Sequence, residues 1–219
     1  MTILYEDDAL LVVVKPAGVP TQTKKLGQQD MESMIKNYRV SKKEDAYVGV
    51  VHRLDQPVEG LMVFAKTKQA AAELSKQVAE KSADKCYYAM VEKRGVETYP
   101  GIQTEDGLVL ENYLLKDGKT NTSAIVEKGT KDAKLARLHY RVLQENEVLA
   151  IVDIGLETGR HHQIRVQFSG AGLPLVGDRK YNRDGVARQN VALCSYKIGF
   201  VHPKTKEKME FIIDNPFSL

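Results

Sequence analysis

Cysteine and tryptophan are nearly absent from this chain: it has two Cys and no Trp. Cys86 and Cys194 stand alone, with no CxxC or Cys/His spacing around either, which excludes a secreted disulfide framework and a zinc ribbon. Long apolar runs are lacking too. The chain opens MTILYEDD, without a positive n-region, and its longest apolar run near the start, Ala9 to Val14, is far too short to span a bilayer. The expectation is a cytoplasmic protein in a reducing compartment, with no membrane partner. Repeats, low-complexity stretches and long linkers are also missing. At roughly 100–200 residues per domain, a chain of 219 residues is read as a single domain. A chain of this size buries roughly 70% of its unfolded surface without staples.

Charge of one sign is scarce as well. Thirty-two basic residues face 29 acidic ones, a net +3. The balance is uneven, however. Residues 155 to 208 hold ten basic side chains against four acidic ones, +6, and the remainder is −3. A local basic stretch on a nearly neutral chain can hold a polyanion by charge pairing and counterion release. A solvated Lys/Arg face is the more ordinary meaning of such a bias.

What is present reads as short strands with few helices. Ile3 to Tyr5 and Leu10 to Lys15 are β-like, the second ended by Pro16. From Asp30 to Val40, Met31, Met34, Ile35 and Tyr38 recur at helical spacing, with Asp30 as N-cap. Tyr47 to Val51 and Leu61 to Ala65 are β-like runs flanking HRLDQPVEG. Thr67 caps an Ala-rich helix to about Lys81, and Tyr87 to Val91 is another strand. Residues 95 to 121 are turn-rich and ambiguous. Beyond them Ala124 to Val126, Leu138 to Leu143, Val148 to Ile154, Val191 to Val201 and Met209 to Ile213 read as strands, with a short helix from about His161 to Ser169 ended by Gly170 and Gly172. Without the regular helix–strand alternation of a doubly wound sheet, the fold class is α+β, with a large mixed or antiparallel sheet and flanking helices.

Several motif matches fail. Gly118, Lys119 and Thr120 resemble the end of a phosphate-binding loop, but Tyr113 occupies the position of its first glycine. His52 to Asp55 superficially resembles a kinase catalytic loop, without the glycine-rich loop or the metal-binding DFG. His161 and His162 are adjacent and lack a carboxylate at ligand spacing, so no metal site is expected.

Three segments place polar groups among apolar neighbours. In VHRLDQPVEGLMVFAK, Val51 to Lys66, Asp55 lies between two apolar strands, either as an ordinary turn cap or as a poised nucleophile or base. In KCYYAMV, Lys85 to Val91, Tyr87 and Tyr88 face opposite sides of a strand. In GLETGRHHQIRV and GLPLVGDRKY, from Gly155 and Gly172, Arg165 shares a short helix with Ile164 and Phe168. A cation near an apolar face needs an anionic partner, for which Asp55 is the natural candidate. A solvated Arg165 is the alternative.

With these segments in the order ILYEDDALLVVVKPAGVPTQ, HRLD, GLMVFAK, KxYxA, TGRHHQIRV and GLPLVGDRKY, the chain resembles the RluA-type pseudouridine synthases over nearly its whole length. The resemblance implies the pseudouridine synthase fold, with an active-site cleft across the sheet, and an isomerase needing neither cofactor nor metal. Asp55 would be the catalytic aspartate, attacking the target uridine so that the base detaches, rotates and rejoins through carbon. Whether attack falls on the anomeric carbon or proceeds through a glycal stays open. Tyr87 would stack on the flipped base and assist proton removal from C5, and Arg165 would pair with Asp55. Arg53 would fill the gap left by the flipped base. Leu54 and Ile164 would be apolar walls, and His52, Arg160, His162 and Gln163 complete the expected substrate-binding set.

Two positions depart from the family pattern. Val58, Glu59 and Gly60 replace the usual Thr/Ser-Gly after the aspartate, and His161 stands where Thr is frequent. The separate N-terminal RNA-binding module of many relatives is not expected here, which leaves RNA binding to a monomeric catalytic domain spanning 1–219 and to its basic stretch. The substrate would be ribosomal or transfer RNA. One alternative is an RNA-binding or chaperone protein of the same fold without turnover. A weaker one is a glycoside-type hydrolase using Asp55 and Glu59.

Overall fold

A computed structural model describes residues 1–80 and 83–219. Its elements run β1 (Thr2–Glu6), β2 (Leu10–Lys15), α1 (Met31–Ser41), β3 (Gly49–Val50), β4 (Glu59–Ala65), α2 (Lys68–Ala79) and β5 (Asp84–Glu92). They continue with β6 (Ile102–Thr104), β7 (Gly107–Asp117), β8 (Thr122–Val126), β9 (Lys134–Glu145), β10 (Leu149–Leu156), α3 (Gln163–Gly170), β11 (Leu193–Val201) and β12 (Lys208–Ile212). Strands predominate and most pairings are antiparallel, as an α+β fold with a mixed, mostly antiparallel sheet requires. By its internal contacts the chain divides into two compact units, Met1–Lys85 with Cys194–Asp214, and Cys86–Leu193 with Asn215–Leu219.

In the first unit the strand order is β1-β2-β4-β11, with β3 on β4 and β12 on β11. The apolar run of β2 is buried from Leu10 to Val13, as an interior strand covered on both faces demands. It pairs antiparallel with β4 from Leu10↔Ala65 to Lys15↔Gly60. Pro16 follows at the point where a missing N–H ends the ladder. The β4–β11 pairing is parallel, Cys194↔Glu59 and Ser195↔Gly60. Gly60 has a φ of 119°, and a Cβ there would lie 2.2 Å from the Ser195 carbonyl oxygen, so only glycine fits.

Ala70 and Leu74 of α2 pack on Leu10, Val12, Leu61, Val63, Ile198 and Phe200. Both helices of this unit begin at the caps the sequence names. The Asp30 side chain accepts from Ser33 N–H in a capping box, and Thr67 accepts from Ala70 N–H. The expected end of α2 at Lys81 lies outside the described residues. Of the expected stripe on α1, Met31 and Ile35 are buried, and so is Arg39. The Arg39 guanidinium is held by Glu44 and by the Tyr47 and Lys66 carbonyls.

The second unit orders its strands β5-β10-β9-β7-β6, with β8 on β7. The pairings of β5 with β10, β10 with β9, β9 with β7, and β7 with β6 and β8 are antiparallel. The strand β7 falls in the stretch the sequence leaves ambiguous. Its residues, GLVLENYLLKD, bunch their apolar positions instead of alternating, because this strand pairs with β6, β8 and β9 along different parts of its length. The expected strand over Tyr47 to Val51 contracts to Gly49–Val50. Helix α3 begins at Gln163, after a His162 cap in the left-handed region, φ 53°, and Gln163 to Phe168 are all buried.

Candidate active site

The loop between β3 and β4 carries His52, Arg53, Leu54 and Asp55, and four backbone groups of residues 54–56 are held. The Thr21 hydroxyl donates to the Leu54 carbonyl at 2.9 Å and accepts from the Leu54 N–H at 3.2 Å. Val58 N–H closes a turn on the Asp55 carbonyl at 3.0 Å. His52 accepts from Val63 N–H through Nε2 at 3.1 Å, which fixes the ring as the Nδ1–H tautomer and ties the loop to β4. Burial and the neighbouring Lys85 ammonium push the His52 pKa down to about 3, so the ring is neutral. Arg53 is exposed, Leu54 is buried, and Asp55 is half-buried.

Sequence reasoning gave no role to Lys15, in the KPAG stretch. Its side chain is fully buried, and its ammonium donates to the carbonyls of Pro16 (3.0 Å), Val19 (2.6 Å) and Gln56 (3.1 Å). Those three bonds use all three of its donors and cross-link the 16–19 loop to the residue after Asp55. Burial pushes the Lys15 pKa down to about 8, against the opposing charges of Asp55 and Glu59. Gly18 reinforces the same link, its N–H donating to the Gln56 carbonyl at 2.9 Å while its own carbonyl accepts from Gln56 Nε2 at 3.0 Å. The one available signal was a lysine directly ending a wholly apolar strand. Cys194, beside Glu59 in the β4–β11 ladder, is buried, and burial with the Glu59 charge pushes its thiol up to about 12. It is no nucleophile.

The remaining candidates belong to the second unit. Tyr87 is buried on β5, opposite Ile154 of β10. The outer edge of β5 holds the segment that follows α3: Val176 N–H donates to the Met90 carbonyl, Glu92 N–H to the Pro174 carbonyl, and Met90 N–H to the Ala192 carbonyl. Asp178 sits at the end of that segment. Arg165 donates to it through Nε and Nη2, both at 2.7 Å, in a buried bidentate pair, with the Tyr181 ring 5.3 Å from the guanidinium. A carboxylate partner for this buried cation is therefore present in Asp178, a residue of GLPLVGDRKY. Burial works against the Asp178 charge, but the Arg165 bonds and the Lys180 and Tyr181 amides prevail and hold its pKa below the usual carboxylate value.

Arg160, His162, Gln163 and Ile164 lead into α3. Gln163 accepts from the Thr158 hydroxyl and the Arg160 N–H and donates to the Arg137 carbonyl, so its amide shapes the loop. Arg160 Nε donates to the Leu135 carbonyl at 2.8 Å, and Ile164 is buried. His161 stacks on His162 with ring centroids 3.8 Å apart, and both meet side chains of this unit, His161 at Ser123 and Asn121 and His162 at the Tyr181 hydroxyl. Among the described residues no group of three or more His, Cys, Asp or Glu side chains could hold a metal ion. No helix among them is long and apolar enough to cross a membrane.

The α+β fold with its mostly antiparallel sheet is the one the motif order implied. Comparison with known proteins gives the same class. Residues 9–170 match the family model for RNA pseudouridylate synthase. The chain is 33% identical over 220 residues to the uncharacterized RNA pseudouridine synthase YhcT of Bacillus subtilis, covering 99% of this chain and 68% of that protein. It is 32% identical to ribosomal large subunit pseudouridine synthase D of Zymomonas mobilis, covering 99% and 69%. Among solved structures, human RNA pseudouridylate synthase domain containing 1 superposes with a TM-score of 0.75 at 22% identity, over 99% of this chain and 84% of that one. The chain belongs to the RNA pseudouridylate synthase family, an isomerase family, and the RluA-type resemblance read from its motifs is borne out.

Proposed function

We propose that this protein isomerises specific uridines of ribosomal or transfer RNA to pseudouridine, with Asp55 as the nucleophile. The observation that carries the reading is the way the HRLD loop is held. The Leu54 amide and carbonyl, the His52 ring and the Gln56 carbonyl are each bonded to fixed parts of the first unit, and the half-buried Asp55 stands between Leu54 and Gln56 in the chain. A side chain that must attack one carbon of a flipped nucleotide needs such preorganisation. Tyr87 takes the role of stacking on the base and assisting proton removal at C5. Arg165 takes the role of keeping Asp55 ionised, with Asp178 orienting its guanidinium. Arg53, exposed on the same loop as Asp55, replaces the flipped base in the RNA stack. Leu54 and Ile164 are apolar walls, and His52, Arg160, His162 and Gln163 shape the substrate-binding segments. The protein acts as a cytoplasmic monomer on RNA.

The test uses in-vitro-transcribed large-subunit ribosomal RNA and unmodified transfer RNA. Wild-type protein forms pseudouridine in one of them, and Asp55→Asn abolishes product while the variant keeps its circular dichroism spectrum and a cooperative unfolding transition. Undiminished turnover in that variant refutes the role of Asp55. RNA binding by the wild type with no isomerisation of either RNA refutes the enzymatic reading in favour of a binding protein.

A further inference from the structure

The loop from Pro16 to Gln29, PAGVPTQTKKLGQQ, contains no acidic residue, and its tip is an ordered turn. Gln28 N–H donates to the Lys25 carbonyl at 3.3 Å, and Gly27, third in the turn, has a φ of 77°, as a type II turn requires. The Thr23 side chain braces the turn from both sides, its hydroxyl accepting from Lys25 N–H at 3.1 Å and bonding Gln28 Oε1 at 3.2 Å. At the second position of this turn stands Leu26, fully exposed, with Lys24 and Lys25 exposed beside it. Single exposed leucines are common on surfaces. What sets this one apart is a turn held by three hydrogen bonds that presents an apolar side chain directly after two lysines.

Neither lysine has an ion-pair partner among the described residues, and the nearby acids are engaged elsewhere. Asp30 caps α1 and accepts from Thr23 N–H, and Glu32 is held by Lys36 and Gln22. The tip is also coupled to the candidate catalytic loop. Thr21, three residues before Lys24, holds both backbone groups of Leu54, the residue before Asp55.

We propose that this turn is an RNA contact of the same enzyme: Lys24 and Lys25 neutralise two backbone phosphates flanking the target uridine, and Leu26 packs against an unstacked base of that single-stranded stretch. The inference rests on the proposed activity for its choice of partner. RNA is the fitting occupant because a lysine pair without acids matches a phosphate backbone, and an apolar wedge matches a splayed base.

The experiment measures binding of a fluorescent single-stranded fragment of the modified RNA at several salt concentrations. Lys24→Ala/Lys25→Ala lowers the slope of log K against log salt by about 1.4, from about 0.7 per phosphate contact on a single strand. Leu26→Ser weakens binding about tenfold with an unchanged slope, as expected for partial burial of one leucine. All variants unfold thermally like the wild type, since the substituted side chains are exposed. Unchanged affinity and slope in both variants overturn the inference. The activity assay keeps the two readings apart. Wild-type isomerisation with loop-independent binding sinks only this proposal, whereas loop-dependent binding without isomerisation sinks only the enzymatic one.

Discussion

Replacing Thr21 by Val changes one buried atom type and leaves the shape of the side chain alone, so it isolates the clamp on the HRLD loop. The hydroxyl serves the Leu54 carbonyl at 2.9 Å and the Leu54 N–H at 3.2 Å, and both residues are buried. With Val in its place, two backbone groups lose their partner together. At about 1–3 kcal/mol for each of the two buried groups left unsatisfied, the expected loss of unfolding free energy is about 2–6 kcal/mol. Thr21→Ser is the control. It keeps the hydroxyl and removes one buried methyl, which costs about 1 kcal/mol.

Urea unfolding followed by circular dichroism reads both values, and the midpoint shifts without a change in m if the folded state is otherwise intact. Because Leu54 adjoins Asp55, the Val variant also loses turnover, by about a hundredfold if the carboxylate is displaced by about 1 Å. The Ser variant retains most of its turnover. A Val variant within 0.5 kcal/mol of wild type, or a Ser variant less stable than the Val variant, would refute the reasoning, with ~0.5 kcal/mol the ordinary scatter of substitutions that touch nothing important.

The other predictions concern charge. Asp178→Asn keeps the volume but removes the bidentate carboxylate from the buried Arg165 guanidinium, and should cost about 3–5 kcal/mol in urea unfolding; a loss below about 1 kcal/mol, the range of exposed pairs, would mean the pair is not a buried clamp. Glu6 is half-buried, which opposes its charge, but Lys66, Tyr38 and Lys42 overcome this and bring its pKa down to about 2. Its folded-state pKa is depressed, so its contribution is fully present above the unfolded value near 4.5 and is lost as pH falls towards 2. The neutral His52 acts in the same direction: its folded pKa of about 3 lies below the unfolded 6.5, so the unfolded chain binds more protons across that window and stability falls on acidification. Unfolding measured from pH 7 to pH 3 should show the fall, and His52→Phe should remove the part between pH 6.5 and pH 4.

Local chemistry alone determined the helix starts, the interior strands and the motif order. Asp30 and Thr67 are read correctly because a cap needs only a side-chain oxygen within three residues of an unpaired N–H. The runs LLVVVK and GLMVFA announce interior strands because a strand covered on both faces has no polar positions. HRLD, KxYxA and TGRHHQIRV in order were enough to place the chain in its family. None of that locality reaches Lys15, whose three carbonyl partners include Gln56, 41 residues away. Nor does it reach the Arg165–Asp178 pair, since the meeting of that guanidinium with Asp178 depends on how β5 docks the 174–178 segment. The strand β7 was hidden for a related reason, because its side-chain pattern answers to three neighbouring strands. The tertiary structure decided these points because burial makes an unpaired charge or N–H costly only once the chain has closed around it, and the sequence carries no local mark of which distant group will be there.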